Sequence, residues 1–260
     1  MSRKLLIIFL VFFMTGLAWN LPAASRAAET DVAIGGGVGA APDYEGSDEY
    51  EAVPLPFASV RWDNGRFVEL AGNTLRANLL AHNILSLGPI LQYIPERDDV
   101  DSDAVDAMEK VDTSVMVGAF ARVKFDSWYA RLHAIQDVAD GNDGFLVQVG
   151  GGYNWFYSDT FRMIFDVFST YASEDYMETY FEVDALDSAR SGLRQYTDVD
   201  AGIKDVGLAI TANCRPYENW SFRSIVSYKR LLGDAEDSPV VDDEGDASQF
   251  SAGVMVVYHF

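Results

Sequence analysis

The chain reads as a succession of runs in which apolar and polar residues alternate with period two. That is the spacing of an extended strand, whose side chains point to opposite faces in turn. The last run is the most regular. Phe250, Ala252, Val254, Val256, Tyr258 and Phe260 share one face, while Ser251, Gly253, Met255, Val257 and His259 share the other. Comparable runs occupy 113–125, 128–138, 145–157 and 161–171, with further ones at 31–41, 51–62, 66–71, 74–81, 85–95, 200–214 and 219–231. This predicts twelve strands, or ten if 66–81 forms one irregular segment. No amphipathic helix pattern of convincing length interrupts them. Residues 176–183 also alternate, but counting them as a strand breaks the even parity, so they are assigned to a loop.

The connections alternate as well. Those at 63–65, 82–84, 126–127, 158–160 and 215–218 are short, and those at 42–50, 96–111, 139–144, 174–199 and 232–247 are longer and mostly acidic; Gly72-Asn73 is the exception. Short periplasmic turns, long external loops and an even strand number are the pattern of an outer-membrane β-barrel. Trp62, Trp128, Trp155, Tyr157, Trp220 and Tyr258 gather near strand ends, where interfacial girdles require them. The fold class expected is therefore all-β, an antiparallel transmembrane barrel. Its closing strand ends on Tyr258 and Phe260, which are read as a barrel-assembly signal.

The amino-terminus fits that destination. Arg3 and Lys4 precede an apolar run from Leu5 to Trp19, and Ser25-Arg26-Ala27 follows as a cleavage signal. Residues 1–27 are read as a cleaved signal peptide and 28–260 as one barrel domain. The formal net charge is −21, and losing Arg3, Lys4 and Arg26 takes the mature chain to about −24, which argues against nucleic acid as a partner. Cys214 has no second cysteine to pair with and reads as a small residue on a strand.

The stretches 35–62 (GGGVGAAPDYEGSDEYEAVPLPFASVRW), 88–93 (GPILQY), 191–196 (SGLRQY), 228–241 (YKRLLGDAEDSPVV) and 249–260 (QFSAGVMVVYHF) carry a family likeness. Over essentially the whole mature chain the sequence resembles the MipA/OmpV family of outer-membrane proteins. The resemblance implies a non-enzymatic scaffold linking murein-synthesising and murein-cleaving enzymes to the outer membrane. It also marks the loop carrying Gly233, Asp234, Asp237, Ser238 and Pro239 as a family motif. Implied partners are outer-membrane lipid and lipopolysaccharide, the barrel-assembly machinery, and a periplasmic murein hydrolase or synthase.

Candidate chemistry is sparse. Gly35-Gly36-Gly37-Val38-Gly39 lacks the Lys-Ser/Thr and the following helix of a phosphate loop, so small residues facing a crowded lumen explain it better. Asp99, Asp101 and Asp103 offer hard oxygen ligands, but not at the spacing of a twelve-residue calcium loop, and no metal or other cofactor is expected. Alternation places Arg122, Lys124, Arg131, His133, Gln148, Arg162, Asp166, Arg223 and Lys229 toward the lumen. Paired with Asp137 and Asp166 they plug a narrow interior; left free they favour anions. His133 and Asp137 lie four strand residues apart, about 13 Å, too far for a catalytic pair. Two function classes remain. One is a scaffold acting through short periplasmic turns. The other is a small pore or surface receptor using a charge-lined lumen and acidic external loops.

Overall fold

The computed structural model describes residues 30–260; the expected signal peptide, 1–27, lies outside the described residues. Twelve strands close into one barrel, β1 (Thr30–Pro42), β2 (Tyr50–Trp62), β3 (Phe67–Ala71), β4 (Thr74–Asn78), β5 (Leu85–Ile94), β6 (Ser114–Phe125), β7 (Trp128–Asp137), β8 (Phe145–Ser158), β9 (Phe161–Ala172), β10 (Gly202–Tyr217), β11 (Trp220–Leu231) and β12 (Ser248–His259). Each strand pairs antiparallel with its sequence neighbours, and β12 returns to β1 with Ala33 opposite His259 and Ala40 opposite Ala252. The Phe260 N–H adds a bond to the Val32 carbonyl at 2.9 Å, so the last residue helps close the seam.

The wall follows the two-residue period. Val38, Val117, Leu132, Val149, Val167, Leu208 and Val254 stand exposed on the outer face, Val167 at 63%. In a membrane barrel lipid covers such a band, and closure leaves no unpaired edge around the ring. Aromatics collect at the short-turn end, where Trp128 lies 4.8 Å from Tyr153, Trp220 5.0 Å from Tyr258, and Tyr258 5.0 Å from Phe260, centroid to centroid. Cys214 is on β10, opposite Phe222 and Phe161.

The β3–β4 hairpin is short. β2 pairs with β3 only from Phe57 to Arg61, so residues 50–56 border β1 alone apart from the Gly72 N–H bond to the Pro56 carbonyl at 2.9 Å. Pro54 shares the edge-facing parity of Pro56, and neither has an N–H to leave unmatched there. On β1 the glycines permit close approach. A Cβ on Gly37 would fall 2.6 Å from the Met255 Cα.

The long connections depart from the expectation of solvated loops. They contain five short helices, α1 (Asp103–Asp106), α2 (Glu174–Phe181), α3 (Ala185–Ser191), α4 (Asp234–Asp237) and α5 (Pro239–Asp242). The stretch 176–183 is thus mostly helical. Ser173 caps α2 by accepting from the Tyr176 N–H, and Asp184 caps α3 by accepting from Leu186 and Asp187. Tyr176, Met177, Tyr180 and Phe181 form one buried helical face rather than a strand face. They join a cluster that runs from wall residues Ile90, Met116, Phe120 and Ile135 up to Leu231, Ala235 and Val241. A second cluster unites Tyr44, Val105, Met108, Val183, Leu193 and Val240 from different connections. The loops therefore fold together as a lid over the outer mouth.

Candidate functional site

The lid is fastened to the wall by charge. Glu45, in the β1–β2 connection, accepts from Lys204 Nζ at 2.6 Å, from Lys229 Nζ, and from the Tyr176 hydroxyl at 3.0 Å. Lys204 also meets Asp205 at 2.8 Å. A register shift against β9 between Ile203 and Asp205 accompanies the burial of both these neighbours, as a bulge does when it re-aims side chains. Burial alone would raise the Glu45 carboxyl, but the Lys204 and Lys229 ammonium groups hold it well below the usual carboxylate range. Arg97 donates to the Tyr180 carbonyl at 2.9 Å and Ser238 to the Phe181 carbonyl at 2.6 Å, tying three connections together. Beneath them lies a cavity of about 400 Å³ whose lining includes Glu45, Gln92, His133, Gln148, Tyr176 and Lys229.

The family-motif loop is part of this lid. Ser238 and Pro239 are buried, Asp234 accepts the Asp200 N–H at 2.8 Å, and the Asp237 carbonyl accepts from Arg194 at 2.8 Å. Gly233 takes φ 57°, a left-handed conformation that favours glycine. Ser238 and Pro239 thus pack inside the lid rather than on its surface.

Toward the short-turn end the lumen is crossed by a polar network. Arg131 bonds Asp166 at 2.6 Å and also Gln148, and Asp166 accepts from the Tyr129 hydroxyl. Glu69 joins Arg76, at 2.6 Å, to Arg61. Arg122, Arg162 and Arg223 instead lie over the rings of Tyr129, Phe156 and Phe57 at 3.8, 5.9 and 4.7 Å. These three and Lys124 form no ion pair among the described residues. His133 meets Phe120 edge-on at 6.3 Å and has no carboxylate partner.

One expectation needs correction, and two other sets of candidate residues find their places. Asp137 pairs with no cation; it accepts from the backbone of Val115, Ala139, Gly141, Asn142 and Asp143, so its charge organises the β7–β8 connection. Lys229 lines the cavity as expected and there serves the lid anchor through Glu45. Asp99, Asp101 and Asp103 do not converge on a metal. The Asp99 N–H reaches Asp106, the Asp101 N–H reaches Asp43 at 2.9 Å, and among the described residues no group of three or more His, Cys, Asp or Glu side chains could hold an ion. The sequence reading passed over Glu45, Lys204, Arg61, Glu69 and Arg76. Glu69 and Arg76 were findable, since they stand opposite across the Gly72-Asn73 turn on the inward parity.

One further arrangement sits at the seam. His259 on β12 bonds Ser221 of β11 through Nε2 at 2.9 Å and faces Asp31 of β1 through Nδ1 at 3.4 Å. It links the three strands that close the ring.

Comparison with known proteins agrees with this architecture. The sequence profile described as MltA-interacting protein MipA matches residues 34–260. MltA-interacting protein of Escherichia coli (strain K12) is 27% identical over 225 residues, covering 83% of this chain and 86% of that protein. YiaT of the same strain, named for the outer membrane, is 24% identical over 258 residues, covering 97% of each. Among solved structures, the NanC porin aligns at a TM-score of 0.47 with 10% identity, covering 87% of this chain and 98% of its own.

Proposed function

The chain belongs to the MipA family of outer-membrane barrels, and from that premise we propose that it is a non-enzymatic scaffold whose periplasmic rim docks a murein-cleaving enzyme. The name of its relative says of that protein that it interacts with MltA. The observation that carries the reading here is the lid. Its apolar clusters and the Glu45 anchor fill the outer mouth, which supports assigning the docking surface to the periplasmic end. Four of the short turns there carry an exposed carboxylate, Asp63, Asp126, Asp159 and Glu218. Such a rim suits a basic partner surface and a small, salt-sensitive interface.

The test pairs capture with conductance. Purified murein hydrolase is captured on the refolded barrel, with an Asp159→Lys, Glu218→Lys variant beside it. Reversal of both charges lowers capture about ten-fold while the barrel keeps its heat-modifiable migration, and planar bilayers with verified insertion stay silent. Capture that ignores the reversal, together with steady conductance, would overturn the scaffold. It would favour instead an anion-selective pore, for which the cationic lumen is the supporting observation.

A further inference from the structure

We propose that the periplasmic half of the lumen is a binding site for a small polyanion, one carrying two or more phosphate or carboxylate groups. The inference stands apart from the docking role above. Arg61, Arg76 and Arg131 spend their charge on Glu69 and Asp166. Arg122, Lys124, Arg162 and Arg223 have no such partner, yet they repel one another and the paired arginines. Lys124 lies within electrostatic range of Arg122, Arg61 and Arg162, and Arg223 within range of Arg162, Arg61 and Arg76; the carboxylates within range of Arg223 and Arg122 are Glu69 and Asp166, which the paired arginines already engage. These cations project from β6, β9 and β11, so they converge across the lumen rather than line one side.

The hydrogen bonds tell the same story. Arg122 Nε and Asn213 Nδ2 are buried donors with no acceptor among the described residues. Asn213 is held by Arg223, whose Nε donates to its Oδ1 at 2.8 Å. Buried donors are ordinarily matched, and buried charges ordinarily compensated. Asn213 lacks only an acceptor, whereas Arg122 lacks an acceptor and a neighbouring charge of its own; one negative acceptor would meet both needs. Water accepts but carries no charge.

The geometry also prepares the arginines. A guanidinium lying over an aromatic ring uses its face, which leaves the in-plane N–H groups, apart from the Arg223 Nε given to Asn213, for the oxygens of a carboxylate or phosphate. Convergence from separate strands selects a ligand with more than one anionic group. Access is from the periplasm, because Arg61 keeps 47% of its side chain exposed and Phe156, on the inward parity of β8, is 62% exposed, whereas the lid covers the other end.

The experiment is titration calorimetry of the refolded full barrel in zwitterionic detergent, with inorganic pyrophosphate in one arm and citrate in the other. Saturable binding is expected, weakening as ionic strength rises from about 0.05 to about 0.5 M. An Arg162→Gln, Arg223→Gln variant weakens it about ten-fold or more, while Lys110→Gln, Arg190→Gln in the lid leaves it unchanged. Heat-modifiable migration verifies that each variant is folded. Pyrophosphate alone binding identifies a phosphate site, citrate alone a carboxylate site, and both a site that reads charge. Failure of both, or binding indifferent to the lumen variant, overturns the proposal.

Discussion

Replacing Glu45 with Gln tests the lid most directly. The amide keeps the shape and the oxygen that meets Tyr176, but it removes the charge between Lys204 and Lys229. Lys204 retains Asp205 at 2.8 Å, whereas Lys229 is left without a carboxylate. Breaking one side of a buried ion pair costs about 3–5 kcal/mol, mostly because the survivor stays uncompensated. Lys229 keeps 29% of its side chain exposed, and solvent screens that part, so the lower end, about 3 kcal/mol, is the figure to expect. At 1.4 kcal/mol per decade this raises the open-lid population roughly 150-fold. Hydrogen exchange of the amides in 43–49 and 174–181 reads that ratio, with the β8 and β9 amides as the internal reference. Adding Lys229→Met should recover much of the loss, since no unpaired ammonium then remains. Lid exchange within about three-fold of the parent protein would refute the anchor and leave the apolar clusters alone holding the mouth shut.

Acid should act through the same group. A depressed carboxyl contributes stability that is fully present above its unfolded value, about 4.3, and is lost as pH falls toward the folded one. Lid protection should therefore stay flat from pH 8 to 5 and decline only below about 4; opening between pH 7 and 5 would assign the switch to another group. Removing Phe260 deletes the N–H bonded to Val32 and the ring against Tyr258, so folded barrel should accumulate more slowly in pulse–chase; an unchanged rate would strip Tyr258 and Phe260 of any assembly role. A fluorophosphonate probe should leave Ser221 unlabelled, as a seam contact requires. Labelling abolished by His259→Ala would make the Ser221–His259–Asp31 chain catalytic.

The wall was legible because alternation reports which face each residue takes, and a barrel uses both faces in every strand. Even the prolines at 54 and 56 pointed to a place where donors are not needed, and the short β3–β4 hairpin leaves such an edge. The lid was not legible, for two physical reasons. Its helices are short, and in the acidic connections a few apolar residues, Val183, Leu193, Val199, Val240 and Val241, decide the packing although charge dominates the composition. Those residues find partners only across different loops, which no local period records. The anchor is longer-range still. Glu45 meets Lys204 and Lys229 at separations of 159 and 184 residues, and a single acidic residue in an acidic loop carries no mark of its partner.

The distribution of charge then ranks the two ends of the barrel. Most of the 40 acidic residues lie in the long connections, whose mutual repulsion opposes packing them together. The wall offsets that repulsion where the lid can reach it. Lys204 and Lys229 meet Glu45, and Arg230 meets Glu236. Toward the short-turn end no lid residue arrives, and there Arg223 on β11 and Arg162 on β9 form no ion pair among the described residues. A wall whose cations served only to hold the lid would need none below its reach. The lower set is costly to keep in a lumen unless a negative partner comes from solution, and with the outer mouth covered that partner comes from the periplasm.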